Sequence, residues 1–102
     1  MHQVYIIYSR RYGRYYVGES VNAVERTKEH NAGRYLSAST SFTNDWVLAL
    51  AFTVDTKAQA VQLERYIKSM KSTVFLRKLI NDCYFLKRFK EIMIERFQMK
   101  IY

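Results

Sequence analysis

Tyr5 and Tyr16 stand eleven residues apart, Arg26 and His30 stand four apart, and Glu64 has Ala60, Val61, Ile67 and Lys68 at helical spacing. Residues four apart on a helix share a face, so Arg26 and His30 are placed to meet one ligand. A guanidinium grips a phosphate oxygen through two donors and stabilises negative charge as it develops. A carboxylate on a largely apolar face is rare unless it is paired or ligates a cation. One carboxylate is enough for a hard cation such as Mg²⁺ when phosphate and water complete the shell. A phenol has an ordinary pKa of about 10 and acts as a general base only where cationic neighbours favour its phenolate. These residue types suit hydrolysis at a phosphate centre. Each also has a structural use: hairpin tyrosines pack against neighbours, Arg26 pairs with Glu29 or Asn22, His30 complements a helix C-terminus, and Lys68 pairs with Glu64.

The elements that must carry these side chains follow from local pattern. Residues 4–8 and 14–17 are rich in β-branched and aromatic types and flank a polar stretch with Gly13, which predicts a β-hairpin. With Tyr8 opposite Gly13 around a four-residue loop, Tyr5 falls opposite Tyr16 and the two phenols share a face. Asn22 with Glu25 three residues on is a capping-box pattern, and Asn31 to Gly33 supplies a stop, so 23–30 reads as a short helix. The Ser-, Thr- and Asn-rich stretch 33–45 reads as a loop. Residues 46–54 are almost continuously apolar and predict a third strand, buried on both faces or central. A helix capped by Asp55 or Thr56 runs to about Met70, with Ala58, Val61, Ile67 and Met70 on its apolar side. Helices over 73–81 and 84–97 follow. Phe85, Phe89, Ile92 and Met93 form a stripe on the last, suited either to the core or to a dimer seam.

The chain has 102 residues, of which 49% are apolar and 25% charged, with 17 Lys and Arg against 9 Asp and Glu, a net charge of +8. That composition excludes a disordered chain and predicts one domain. The excess charge is +3 over residues 1–34, −1 over 35–67 and +6 over 68–102, which favours a polyanionic partner, nucleic acid first. One cysteine, Cys83, in an apolar setting, excludes a disulfide-stapled secreted domain. The lack of a signal-peptide pattern or a membrane-length apolar run predicts a soluble, cytoplasmic protein with no membrane partner.

Taken together, Tyr5 in Val4-Tyr5-Ile6, the run Tyr16-Val17-Gly18, Arg26 and His30 in the following helix and Glu64 in AQAVQLERYIKSMKS resemble the GIY-YIG nuclease superfamily, in particular its small single-domain members. The resemblance spans residues 3–80. It implies an α+β fold with a small three-stranded antiparallel sheet flanked by helices in the order β-β-α-β-α-α, residues 82–102 forming a C-terminal helical extension of the one domain. It further implies a metal-dependent endonuclease hydrolysing DNA phosphodiesters, branched or damaged DNA included, with Mg²⁺ or Mn²⁺ on Glu64. Tyr5 is then the base, Tyr16 and His30 position water or share the proton, and Arg26 holds the phosphate. Arg14, Lys28, Arg34, Lys68 and Lys71 are the expected DNA contacts. The chain departs from the family pattern at the first motif, which lacks its glycine, and at Glu19, an acid expected to weaken phosphate binding or to pair with Arg26. Those departures motivate a second reading, a nucleic-acid binding module with weak or absent cleavage. A third is a basic interaction module dimerising through 84–97.

Overall fold

The computed structural model describes residues 1–33 and 39–102, so Arg34 lies outside the described residues. β1 (His2–Ser9) and β2 (Arg14–Ser20) form a hairpin, followed by α1 (Ala23–Asn31), β3 (Trp46–Val54), α2 (Lys57–Ser69), α3 (Thr73–Asn81) and α4 (Cys83–Phe97). The three strands make one antiparallel sheet in the order β2-β1-β3. This is the expected α+β architecture, with the C-terminal segment adding a further helix.

The hairpin closes one residue further along each strand than the sequence predicts. Gly13 takes φ +61° and donates its N–H to the Ser9 carbonyl at 2.8 Å. A residue in that left-handed conformation belongs in a loop, so Gly13 cannot serve as a strand partner. Ser9 therefore pairs with Arg14, Ile7 with Tyr16, and Tyr5 with Gly18. The expected Tyr5–Tyr16 pairing is two residues out of register, yet a two-residue slip preserves facing. Both rings stay on one side of the sheet and meet diagonally, with centroids 6.4 Å apart.

β1 is the central strand, and β3 is an edge strand, contrary to the reading of its apolar run as central. A register shift between Ile6 and Ile7 explains that run: Ile6 pairs with Leu50 but Ile7 with Leu48, which leaves Ala49 as an extra residue. Such a bulge inverts the alternation. Trp46 and Leu48 consequently face the cluster containing Tyr5, Ile7 and Ala23, while Leu50, Phe52 and Val54 face the larger core with Val4, Ile6 and Val17. One edge strand supplies both sides of the sheet.

α1 covers the smaller cluster, and α2, α3 and α4 cover the larger one. α1 begins at Asn22, whose side chain accepts from the Glu25 amide, and α2 begins with a complete capping box between Thr56 and Gln59. The buried face of α2 is Ala60, Leu63 and Ile67; the expected Ala58 and Met70 are exposed. The large Leu63 side chain sets that stripe, and Glu64 follows it at the margin. Phe89 and Met93 are buried in the main core with Phe85 and Ile92 half-buried against it, so the stripe on α4 serves as core packing. Met99 joins the same cluster, and the Tyr102 amide donates to the Thr53 carbonyl at 2.9 Å. Cys83 is exposed at the start of α4, not in an apolar setting. Among the described residues no helix is long and apolar enough to cross a membrane.

Candidate active site

The α1 side of the sheet gathers Tyr5, Tyr16 and His30. Tyr5 is only 1% exposed, because its ring lies across Gly18 on the neighbouring strand. A β-carbon on Gly18 would stand 2.5 Å from the Tyr5 hydroxyl and 2.6 Å from Cζ. The glycine is required there by close approach. Tyr5 Oη lies 2.9 Å from His30 Nε2, and His30 Nδ1 lies 2.7 Å from Thr40 Oγ1. The half-buried Tyr16 ring meets His30 edge-on, with centroids 5.3 Å apart.

Neutral imidazole satisfies both neighbours in either tautomer: Nδ1–H donates to Thr40 while Nε2 accepts from the phenol, or both bonds reverse. Burial pushes the His30 pKa down from its ordinary 6.5, the Arg26 guanidinium lowers it further, and Glu29 opposes them. The ring therefore favours its uncharged form at neutral pH. Arg26 brings its positive charge to this histidine from one turn earlier on α1, where it is half-buried.

α2 packs on the opposite face of the sheet and approaches the cluster round the edge of β2. Glu64 exposes 18% of its side chain and accepts from Lys68 Nζ at 2.6 Å. The same ammonium lies 5.5 Å from the centre of the Tyr16 ring. β2 is the free edge of the sheet on that side, so a long side chain from the opposite layer reaches the tyrosine. The ion pair thus links the acidic turn of α2 to the phenol–imidazole cluster. Glu19 lies elsewhere: alternation turns it to the other face of β2, where its carboxylate bonds His2. It adds no negative charge on the tyrosine side, and His2, not Arg26, is the partner it finds.

The expected DNA contacts are scattered. Arg14 is exposed where β2 begins, Lys28 is exposed beside Glu25 at 3.3 Å, and Lys71 is exposed just after α2 with φ +47°. Lys68, also exposed, reaches only as far as the Tyr16 ring, 5.5 Å from its centre. Two contributors escaped the sequence reading. Thr40 lies in a stretch that reads only as a polar loop, and Asn31 reads only as a helix stop. Asn31 clamps both backbone groups of Trp46 at 2.8 Å, while the Trp46 indole donates to the Thr40 carbonyl at 3.0 Å. Together they fix the end of α1 against β3 and hold Thr40 under His30.

A family model for the GIY-YIG catalytic domain matches residues 1–79. The chain belongs to the GIY-YIG family. Comparisons with curated proteins and with solved structures give no match. The family is one of nucleases, generally dependent on a divalent metal ion. Among the described residues no three His, Cys, Asp or Glu side chains converge as a cage. A hard ion that keeps most of its waters requires no cage: a single low-exposure carboxylate of the Glu64 kind, with phosphate oxygens, matches its preference for oxygen ligands.

Proposed function

We propose that this GIY-YIG protein is a metal-dependent endonuclease that hydrolyses DNA phosphodiesters and reads backbone charge and shape more than base sequence. The observation that carries the reading is the Tyr5–His30 hydrogen bond, set beside Tyr16 and under the Arg26 charge. Glu64 is the residue that would hold Mg²⁺ or Mn²⁺, and the ion would supply charge neutralisation at the leaving oxygen.

The protein's own groups then divide the work. Arg26 binds a nonbridging phosphate oxygen and stabilises charge on the phosphorane. Tyr5 is buried, so its phenol can accept a proton from water only as it passes its own to His30 Nε2; the neutral imidazole makes that transfer feasible. Tyr16, partly open to solvent, orients the water. Arg14, Lys28 and Lys71 lie on exposed surface and are assigned to phosphate contacts along the strand, which place the duplex without reading its bases.

The test is cleavage of supercoiled plasmid with Mg²⁺ or Mn²⁺ by wild type, Glu64→Ala and Arg26→Ala, with DNA affinity measured in parallel. Nicking lost in both variants while binding persists is the expected result. DNA binding without nicking by the wild type in either metal would overturn it in favour of a binding module.

A further inference from the structure

Two half-exposed aromatic rings meet where the hairpin loop adjoins the segment before β3, an arrangement that core packing does not explain. Tyr12 is 51% and Phe42 42% exposed, and their centroids lie 5.1 Å apart in an edge-to-face contact. Phe42 leans in turn on Trp46 at 5.7 Å, and the Arg14 guanidinium lies 5.5 Å from the centre of its ring. Arg10 and Arg11 are exposed on the same loop.

These rings come from two separate loops, and a polar clasp joins them. Asp45 accepts from the Arg11 amide at 2.9 Å, from Thr43 Oγ1 at 2.6 Å and from Ser9 Oγ at 2.7 Å. Its partners are the residue before Tyr12, the residue after Phe42 and the end of β1. The clasp holds a half-exposed aromatic pair in fixed relation, which makes it a candidate contact surface. The pair is also tied to the catalytic side: Trp46, on which Phe42 rests, donates to the carbonyl of Thr40, whose hydroxyl bonds His30.

Resting on the nuclease reading above, we infer that Tyr12 and Phe42, with Arg14, form a stacking subsite for an unpaired nucleotide, so that the substrate is DNA with single-stranded character next to the scissile phosphate. Exposed aromatic faces bordered by guanidinium groups bind bases splayed from a helix, and they do so without sequence preference because every base has a π-face. A duplex keeps its bases stacked on each other and offers this platform only phosphates.

The binding arm of the test uses no metal and no cleavage. A dodecamer carrying a central 2-aminopurine is titrated with wild type, Tyr12→Ala, Phe42→Ala, Tyr12→Phe and Phe42→Tyr in EDTA, as a single strand and as a duplex. Wild type should favour the single strand and change the 2-aminopurine emission. Each alanine variant should weaken single-strand binding about tenfold, the order of one lost base stack, and leave duplex binding within about twofold. The aromatic replacements should retain wild-type affinity. Equal losses on both DNA forms, or unchanged affinity in both alanine variants with native thermal melts, would overturn the subsite. Plasmid nicking by the wild type with Mg²⁺ but no preference for the single strand overturns the subsite and leaves the nuclease reading intact. Strand preference in a wild type that never nicks sinks that reading and keeps the platform.

Discussion

Tyr5 Oη and His30 Nε2 lie 2.9 Å apart in the buried layer between α1 and the sheet. Burial and the Arg26 charge hold the His30 pKa below its ordinary 6.5, against the smaller opposing pull of Glu29. In the unfolded chain the same ring titrates near 6.5, so below that pH the unfolded state binds the extra proton. Stability should fall as pH drops from above 6.5 towards the lower folded value and level off beneath it. ¹⁵N-detected titration of the His30 ring checks the shift directly. Arg26→Ala should move the inflection up, since it removes a repelling cation, and a wild-type ring titrating at or above 6.5 would contradict the account. Any cleavage that uses the neutral imidazole should decline across the same lowered inflection.

Gly18 offers a second test of that layer. A methyl group at 2.5 Å from the Tyr5 hydroxyl and 3.0 Å from Tyr16 Cε2 meets two aromatic side chains at once. Gly18→Ala should therefore cost about 1–3 kcal/mol by overpacking and push Tyr5 off His30. Urea unfolding gives the first effect. The second appears as a His30 titration curve that no longer matches the wild type's, and an unchanged curve with unchanged stability would show that the strand yields without disturbing the tyrosine.

Much of this arrangement is legible in local pattern, because it depends on local rules. Hairpin, capped helices and strand order along the chain follow from Gly13, Asn22, Thr56 and the apolar runs. What escapes is non-local. The bulge at Ala49 alters which face each residue of β3 serves, and no spacing within 46–54 reveals it, since pairing with β1 decides it. The hairpin register depends on where Gly13 takes its positive φ, and the two-residue error leaves the phenols on one face because the alternation has a period of two. Glu64 stands out as an acid beside Leu63 and Ile67, but its link to Tyr16, made through Lys68, depends on β2 being a free edge. Thr40 and Asp45 carry no signal beyond loop composition, although one holds His30 and the other joins two loops.

Asp45 should be the acid-labile joint of the hairpin. Hydrogen bonds from Thr43 and Ser9, then the Arg11 amide, hold its pKa down to about 2 from an ordinary 3.8. A depressed carboxyl contributes stability that is fully present above the unfolded value and is lost as pH falls through 3.8 towards 2. Asp45→Asn keeps the shape and removes the charge, so wild type should exceed the variant in urea midpoint at pH 7 and converge with it near pH 2. A gap that stays constant across this range would assign the effect to geometry alone.

The Glu64–Lys68 pair separates stability from chemistry. It joins residues four apart on α2 with the ammonium about half exposed, an arrangement that contributes only about 0.3–0.5 kcal/mol. Glu64→Ala should then barely move the thermal midpoint while lowering metal-dependent nicking by two orders of magnitude or more, about the loss of 3 kcal/mol of transition-state stabilisation. Lys68→Met gives the complementary result. The lysine bonds the very carboxylate assigned to the divalent ion, so cation and ammonium compete for it. Removing the ammonium should lower the Mg²⁺ concentration that half-saturates nicking and tighten Mn²⁺ binding measured by electron paramagnetic resonance without DNA. If Mn²⁺ affinity is indifferent to both substitutions, the metal resides elsewhere and Glu64 serves α2 only as a helix ion pair.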